Sequence, residues 1–170
     1  MQILIQSSEI DQRVRRLGQQ LDRDLPEGPL VVIGVLNGAF MFLADLIRQI
    51  QRPQQVVFVE ASSYRDQQTS PGKLHLALKE LPPLSGRNVL VVDDIFDTGR
   101  TLDAILAELH KEQPKSLFSV VLLRKPARRV VDVQPDYFGF DIPDVFAVGY
   151  GLDFDGEYRQ LPWLAVLDRD

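Results

Sequence analysis

Val89-Leu90-Val91-Val92 is an unbroken apolar run in which three residues are β-branched, and it passes without a spacer into Asp93-Asp94-Ile95-Phe96-Asp97-Thr98-Gly99-Arg100-Thr101-Leu102. Such a run reads as a strand buried on both faces, which requires a parallel sheet covered by helices. Leu102, Ile105, Leu106 and Leu109 then recur at helical spacing, so a helix begins directly after the turn. A strand-to-helix turn of this composition is suited to an anion. Unpaired N–H groups and the helix dipole favour negative charge there, Gly99 allows close backbone approach, and the hydroxyls of Thr98 and Thr101 add donors. Asp93 and Asp94, at the carboxyl end of the strand, offer acceptors for vicinal hydroxyls, a hydrated Mg²⁺, or both.

Simpler roles exist for each part. Acids at a strand end can act as a plain helix cap, and Thr-Gly is common in turns. A dehalogenase-type phosphatase separates its two acids by one residue, whereas Asp93 and Asp94 are adjacent. A receiver domain carries an acidic pair after a strand but has no need of the Thr98-Gly99-Arg100-Thr101 that follows here. The complete string resembles the phosphoribosyl-pyrophosphate (PRPP) binding motif of type I phosphoribosyltransferases.

The rest of the chain is consistent with a parallel α/β sheet. Ile10, Val14, Leu17, Leu21 and Leu25 step by three and four after Ser7-Ser8-Glu9, which predicts an amphipathic helix ending near Pro26. Leu30 to Leu36 predicts a buried strand, Asn37-Gly38 a second tight turn able to approach an anion, and Phe40 to Ile50 a helix. That helix is apolar all round, with Phe40, Met41, Phe42, Leu43, Leu46, Ile47 and Ile50, so it is either wholly buried or a subunit interface. Val56 to Val59 is the next strand. The polar stretch Ser62 to Gly72 predicts a mobile loop of the kind that closes over active sites, and Leu74 to Leu78 a short returning strand. Ser116 to Leu123 is a further strand, ending in Arg124-Lys125-Pro126. Ligands of such sheets bind beyond the carboxyl ends of the strands, where Asn37-Gly38, the acidic turn and Lys125 all fall. The apolar pieces Tyr137–Phe140, Val145–Gly149 and Trp163–Leu167 predict a small substructure appended over that crevice.

Composition narrows the classes of function. A chain of 170 residues with 45% hydrophobic and 25% charged residues suits one soluble globular domain. A net charge of -5 argues against binding nucleic acid through a broad basic surface, and the local basic cluster Arg124, Lys125, Arg128 and Arg129 is short. The absence of cysteine excludes disulfides, thiolate metal sites and a cysteine nucleophile. No signal-peptide pattern and no run approaching ~20 apolar residues occurs, so the expectation is a cytoplasmic protein that engages neither membrane nor nucleic acid.

Several stretches together resemble one family within the superfamily. Gly34-Val35-Leu36-Asn37-Gly38-Ala39-Phe40, Ser62-Ser63-Tyr64, Val91 to Thr101, Leu122-Leu123-Arg124-Lys125-Pro126 and Asp136 through Asp153 are similar, in order and spacing, to hypoxanthine (hypoxanthine-guanine) phosphoribosyltransferase. Two positions depart: Asn37 stands where many members carry Lys, and Asp93 where many carry Glu.

The resemblance implies an α/β fold: a parallel-sheet type I phosphoribosyltransferase core with helices on both faces and a small hood built from terminal segments. It implies a single domain over 1–170, the hood coming from the N-terminal segment and the part after about 125. It implies purine salvage with Mg²⁺ as cofactor, PRPP plus hypoxanthine or guanine giving IMP or GMP and pyrophosphate, by a homodimer or homotetramer. Asp97 would be the catalytic base at purine N7. Asp93 and Asp94 would hold the ribose and metal, Asp97, Thr98, Gly99, Arg100 and Thr101 the 5′-phosphate, and Leu36, Asn37, Gly38 and Arg159 the pyrophosphate. The peptide before Gly38 is expected to be strained or cis. Lys125 would donate to the purine O6, Phe146 stack on the base, and Ala147 and Asp153 read its 2-position edge. Asp153 would also hold Mg²⁺ through water, and Ser63 and Tyr64 would form the lid. The other readings are a PRPP-binding regulatory protein and a phosphoribosyltransferase for xanthine or uracil.

Overall fold

The computed structural model describes residues 1–60 and 81–167. The expected loop Ser62 to Gly72, its Ser63-Tyr64 dipeptide and the short strand Leu74 to Leu78 lie outside the described residues. The chain opens with strand β1 (Gln2–Ile5) and helix α1 (Ser7–Asp24). The helix starts at Gln6, whose backbone N–H donates to the Glu9 carboxylate at 2.9 Å. Its Ile10, Val14, Leu17 and Leu21 are buried, as the spacing predicts.

Strand β2 (Leu30–Leu36), helix α2 (Phe40–Ile47) and strand β3 (Gln54–Glu60) follow. Helix α2 stops three residues short of the expected Ile50, because the chain there tightens into turns in which Gln49 N–H donates to Leu46 O and Ile50 N–H to Ile47 O. Strand β4 (Asn88–Phe96), helix α3 (Arg100–Lys111) and strand β5 (Ser116–Arg124) form the next unit, followed by β6 (Tyr137–Asp141). The short strands β7 (Ala147–Val148) and β8 (Leu164–Val166) close the chain.

A five-stranded sheet has the order β3-β2-β4-β5-β6, and every pairing in it is parallel. Its two faces are read directly off the strands by alternation. Leu30, Val32, Leu90 and Val92 pack into one core with Leu17, Leu21, Phe42 and Leu46 of α1 and α2. Val31, Ile33, Val89 and Val91 pack into the other with Leu102, Ile105 and Leu109 of α3. Both faces are therefore dry, which is why these strands carry no polar alternation.

The second sheet is antiparallel, with order β1-β8-β7, and is the hood built from terminal segments. One expectation is corrected. Tyr137–Phe140 does not belong to the appended substructure: it is the edge strand of the main sheet, pairing with β5 from Val120↔Tyr137 to Arg124↔Asp141. It reaches that position because Gly139 lies against the Leu122 carbonyl, where a Cβ would stand 2.4 Å away. From α1, Arg13 donates to the carbonyls of Gly139 and Phe138 at 2.8 and 2.6 Å, further securing the edge. The hood is tied to α2 by Tyr150, whose hydroxyl donates to Asp45 at 2.6 Å; burial first, and then this bond, push that hydroxyl far above its ordinary value.

Helix α1 approaches the end of α2 at Gly18, where an added Cβ would lie 2.3 Å from that of Gln49 and 3.0 Å from its backbone carbonyl. In an open helix Gly→Ala gains about 0.5–1 kcal/mol, whereas overpacking typically costs about 1–3 kcal/mol. Gly18→Ala is accordingly expected to lower the thermal midpoint by a few degrees, at about 2–4 °C per kcal/mol for a chain of this size. A raised midpoint would show that the two helices separate freely.

Candidate active site

The site lies at the carboxyl ends of β2, β4 and β5. Strand β4 continues past its apolar run, with Asp93 and Ile95 still paired to Val121 and Leu123 of β5. Asp93 and Asp94 are consequently buried in the strand and do not lie in a loop beyond it. Their placement is satisfied locally: Asp94 N–H donates to Asp93 Oδ1 at 2.9 Å, and Ile95 N–H to Asp94 Oδ1 at 2.7 Å.

The turn that follows is shaped by Gly99, with φ 87° at the position before α3. A side chain there would meet Val131 Cγ2 at 2.5 Å and the Phe96 ring at 2.7 Å, so glycine is required for space as well as for backbone conformation. Gly99 offers no side chain to cap α3, and the one side-chain acceptor shown at its first turn is the Thr98 hydroxyl, 3.5 Å from Arg100 N. Its first-turn N–H groups and the hydroxyls of Thr98 and Thr101 are thus placed to receive an anion.

A crevice of about 320 Å³ opens over this turn, within the ~300–1,000 Å³ of typical small-molecule sites. Its wall includes Asp93, Asp94, Asp97, Thr98, Gly99 and Thr101, together with Lys125, Phe146, Ala147, Leu152 and Asp153. Arg100 is exposed and does not line it, so that residue reaches the turn only through its backbone.

Asn37-Gly38 and Arg159 border the crevice without lining it. Gly38 lies directly against Asp94: a Cβ on it would sit 1.7 Å from the carboxylate Oδ2. Gly151, at φ 100°, lies over Gly38 in turn, its missing Cβ 2.4 Å from the Gly38 carbonyl oxygen. Arg159 donates to Gly151 O at 2.6 Å and pairs with Asp153 at 2.8 Å. One cis peptide occurs among the described residues, between Leu36 and Asn37, one bond earlier than expected.

Lys125 is 7% exposed and its Nζ lies 3.6 Å from Asp144 Oδ1. Phe146 meets Phe154 edge-on, with ring centroids 5.6 Å apart, and still borders the crevice. Asp97 is paired with Arg128, Nε to Oδ1 at 2.5 Å, and Arg128 also reaches Asp144 at 3.3 Å. The guanidinium of Arg128 is pushed above its ordinary value by its hydrogen bond to Asp144 and by the charge of Asp97. Neither Arg128 nor Asp144 stands out as a site residue in the sequence; the available signal was the basic cluster, whose other prominent member, Arg124, pairs bidentately with Asp141. Arg124, Lys125 and Arg128 of that cluster are thus each set against a carboxylate, while Arg129 is exposed.

No group of three acidic, imidazole or thiol side chains is assembled for a metal among the described residues. Asp93 and Asp94, adjacent in β4, line the crevice together with Asp153, and this donor set still fits an ion such as Mg²⁺. That ion keeps several waters and typically takes one or two carboxylates plus substrate oxygens.

Residues 4–155 match the model of the phosphoribosyl transferase domain. The chain is similar to the hypoxanthine phosphoribosyltransferase of Salmonella typhimurium, 41% identical over 96% of this chain and 93% of that protein. It is 39% identical to the hypoxanthine-guanine phosphoribosyltransferase of Dictyostelium discoideum, over 99% of this chain and 96% of that one. Among solved structures, the hypoxanthine-guanine phosphoribosyltransferase of Bacillus anthracis superposes with a TM-score of 0.87 at 39% identity, covering 99% and 98% of the two chains.

The contact of Gly38 with Asp94 yields a direct test of this geometry. Gly38→Ala must push the Asp94 carboxylate or the Asn37-Gly38 turn aside, and is expected to weaken PRPP binding by about tenfold or more, read by titration calorimetry. Unchanged affinity would show that these two strand ends do not act on a shared ligand.

Proposed function

The chain belongs to the hypoxanthine (hypoxanthine-guanine) phosphoribosyltransferase family, and from that premise we propose how its own residues perform the transfer of the phosphoribosyl group from PRPP to N9 of hypoxanthine or guanine in purine salvage, yielding IMP or GMP. The observation that carries this reading is one crevice lined both by the turn before α3, with Thr98, Gly99 and Thr101, and by the buried Lys125 and the ring of Phe146.

At the phosphate end, the backbone of residues 97–101 and the hydroxyls of Thr98 and Thr101 hold the 5′-phosphate. Asp93 and Asp94 hold the ribose hydroxyls. Leu36, Asn37, Gly38 and Arg159 take the pyrophosphate, a role supported by the contact of Gly38 with Asp94 and by the anchoring of Arg159 at Gly151. As pyrophosphate departs, the ribosyl centre gains oxocarbenium character, which the neighbouring carboxylates stabilise electrostatically. Asp93, Asp94 and, through water, Asp153 would hold Mg²⁺, which when bound neutralises charge on the phosphate oxygens.

At the other end, Phe146 stacks on the base, and the backbone of Ala147 and Asp153 reads the 2-position edge. Lys125 donates to O6: an ammonium has three donors and no acceptor, so it suits a 6-oxo group and meets a 6-amino group donor to donor. We further read residues 1–170 as a single cytoplasmic domain that forms a homodimer or homotetramer. Phe58, 55% exposed on the edge strand β3, and the partly exposed Phe40 and Met41 of α2 support association.

Incubating the protein with PRPP, Mg²⁺ and each nucleobase while following pyrophosphate release tests the reading. Hypoxanthine and guanine are expected to turn over and adenine to be rejected, because a charged donor left buried without a partner costs more than about 1–3 kcal/mol. In Lys125→Ala most base affinity and the discrimination against adenine should disappear. An unchanged hypoxanthine KM would reduce Lys125 to a structural residue, and turnover of xanthine or uracil alone would reassign the base.

Asp97 is the proposed base that removes the N7 proton as the bond to N9 forms. General-base help is typically worth about 10²–10⁴-fold, so Asp97→Asn should lower kcat by that factor while PRPP affinity stays near wild type. Wild-type kcat in the variant would remove Asp97 from the chemistry.

A further inference from the structure

The described part of the crevice holds one chain of charged contacts that the transfer reaction as set out above does not use. Asp97 Oδ1, buried and without a hydrogen bond among the described residues, forms an ion pair with Arg128 Nε at 2.5 Å, Arg128 reaches Asp144 at 3.3 Å, and Asp144 lies 3.6 Å from the Nζ of Lys125. Asp97 and Lys125 both line the crevice, whereas Arg128 does not, and its side chain is 43% exposed. The two charged side chains proposed to bond the O6–N7 edge of the base are thus joined by an alternating chain of acid, base, acid and base.

The backbone reinforces this link. Arg128 sits at the end of a single helical turn, Pro126–Arg128, that follows Lys125 directly, and its N–H donates to the Lys125 carbonyl at 3.1 Å. Two residues on, Val130 N–H donates to the Thr98 carbonyl at 3.0 Å, and Val131 occupies the space that a side chain at Gly99 would need. The segment after β5 therefore leans on the phosphate turn at both a side chain and the backbone.

The chemistry of the base gives this connection a purpose. In a 6-oxopurine, O6 and N7 are neighbours on one edge of the ring, so a donor to O6 and an acceptor for the N7 proton must be set at a fixed spacing. We propose that Arg128 is a positioning residue for the transfer: it holds the Asp97 carboxylate toward N7 and, through Asp144, fixes its spacing from Lys125, so that the O6 and N7 contacts form as one unit. This rests on the roles of Asp97 and Lys125 proposed above. Arg128 acts through Asp97 and touches no part of the substrate. Its planar fork serves two carboxylates at once, a geometry that a single ammonium reproduces only in part.

The test is a double-mutant cycle in kcat with saturating PRPP and hypoxanthine, using Arg128→Gln, Asp97→Asn and both together. Arg128→Gln is expected to lower kcat roughly tenfold with KM for PRPP within about twofold of wild type, and Arg128→Lys to recover part of the loss. In the Asp97→Asn background Arg128→Gln should have no further effect, because the group it positions is gone. Since Arg128 is on the surface, the thermal midpoints of its variants should match wild type, which separates positioning from damage to the fold. Losses that multiply in the double variant, or wild-type kcat in Arg128→Gln, would overturn the inference while leaving the transferase reading in place. Wild-type kcat in Asp97→Asn would instead overturn the base assignment, and the inference with it.

Discussion

The parallel ladder that β4 makes with β2 on one side and β5 on the other runs in register from Leu30↔Asn88 to Gly34↔Val92, and from Asn88↔Ser116 to Phe96↔Arg124. All three strands therefore end on the same side of the sheet, and the turns after them share one crevice. Asn37-Gly38, Asp93 to Thr101 and Lys125 are far apart in sequence and are brought to one end of the sheet by this register. Because both faces of the ladder are covered by apolar helices, a one-residue slip would turn Val89 and Val91 out of one core and into the other. The same burial that makes the sheet rigid thus fixes the position of the carboxylates.

Close backbone contact sets the second constraint. Gly38 against Asp94, and Gly151 against Gly38, stack the first strand end, the acidic strand and the hood at distances that admit no side chain. Arg159 closes the stack by bonding Gly151 and Asp153 together. The hood segment therefore also shapes the crevice, to whose lining it contributes Phe146, Ala147 and Asp153. Its own stability comes from the three short strands and from Tyr150 reaching Asp45 on α2.

Much of this was legible in the sequence where a local rule governs. The spacing of Ile10, Val14, Leu17 and Leu21 locates α1, the run Leu30–Leu36 coincides with β2, and the Gly99 turn joins β4 to α3 as its composition predicts. What escaped depends on partners distant in the chain. Asp93 and Asp94 look like the end of a strand by polarity, yet the ladder continues through them because β5 is still alongside. Tyr137–Phe140 is as short as the hood pieces, and only its pairing with β5 assigns it to the core sheet. Arg128 and Asp144 have no motif of their own; their meaning comes from ion pairs that form when the segment after β5 folds back on the phosphate turn. Arg100, inside the motif, is exposed because the helix it opens turns its side chain away from the crevice.

The central claim is that a single crevice reads both ends of a purine nucleotide, phosphate at the turn before α3 and 6-oxo group at Lys125. A crystal structure of the protein with IMP measures this most directly. The account predicts phosphate oxygens within about 2.7–3.2 Å of backbone N–H groups in residues 98–101 and the purine O6 within the same range of Lys125 Nζ. A nucleotide bound with its phosphate elsewhere, or with O6 turned away from Lys125, would contradict it.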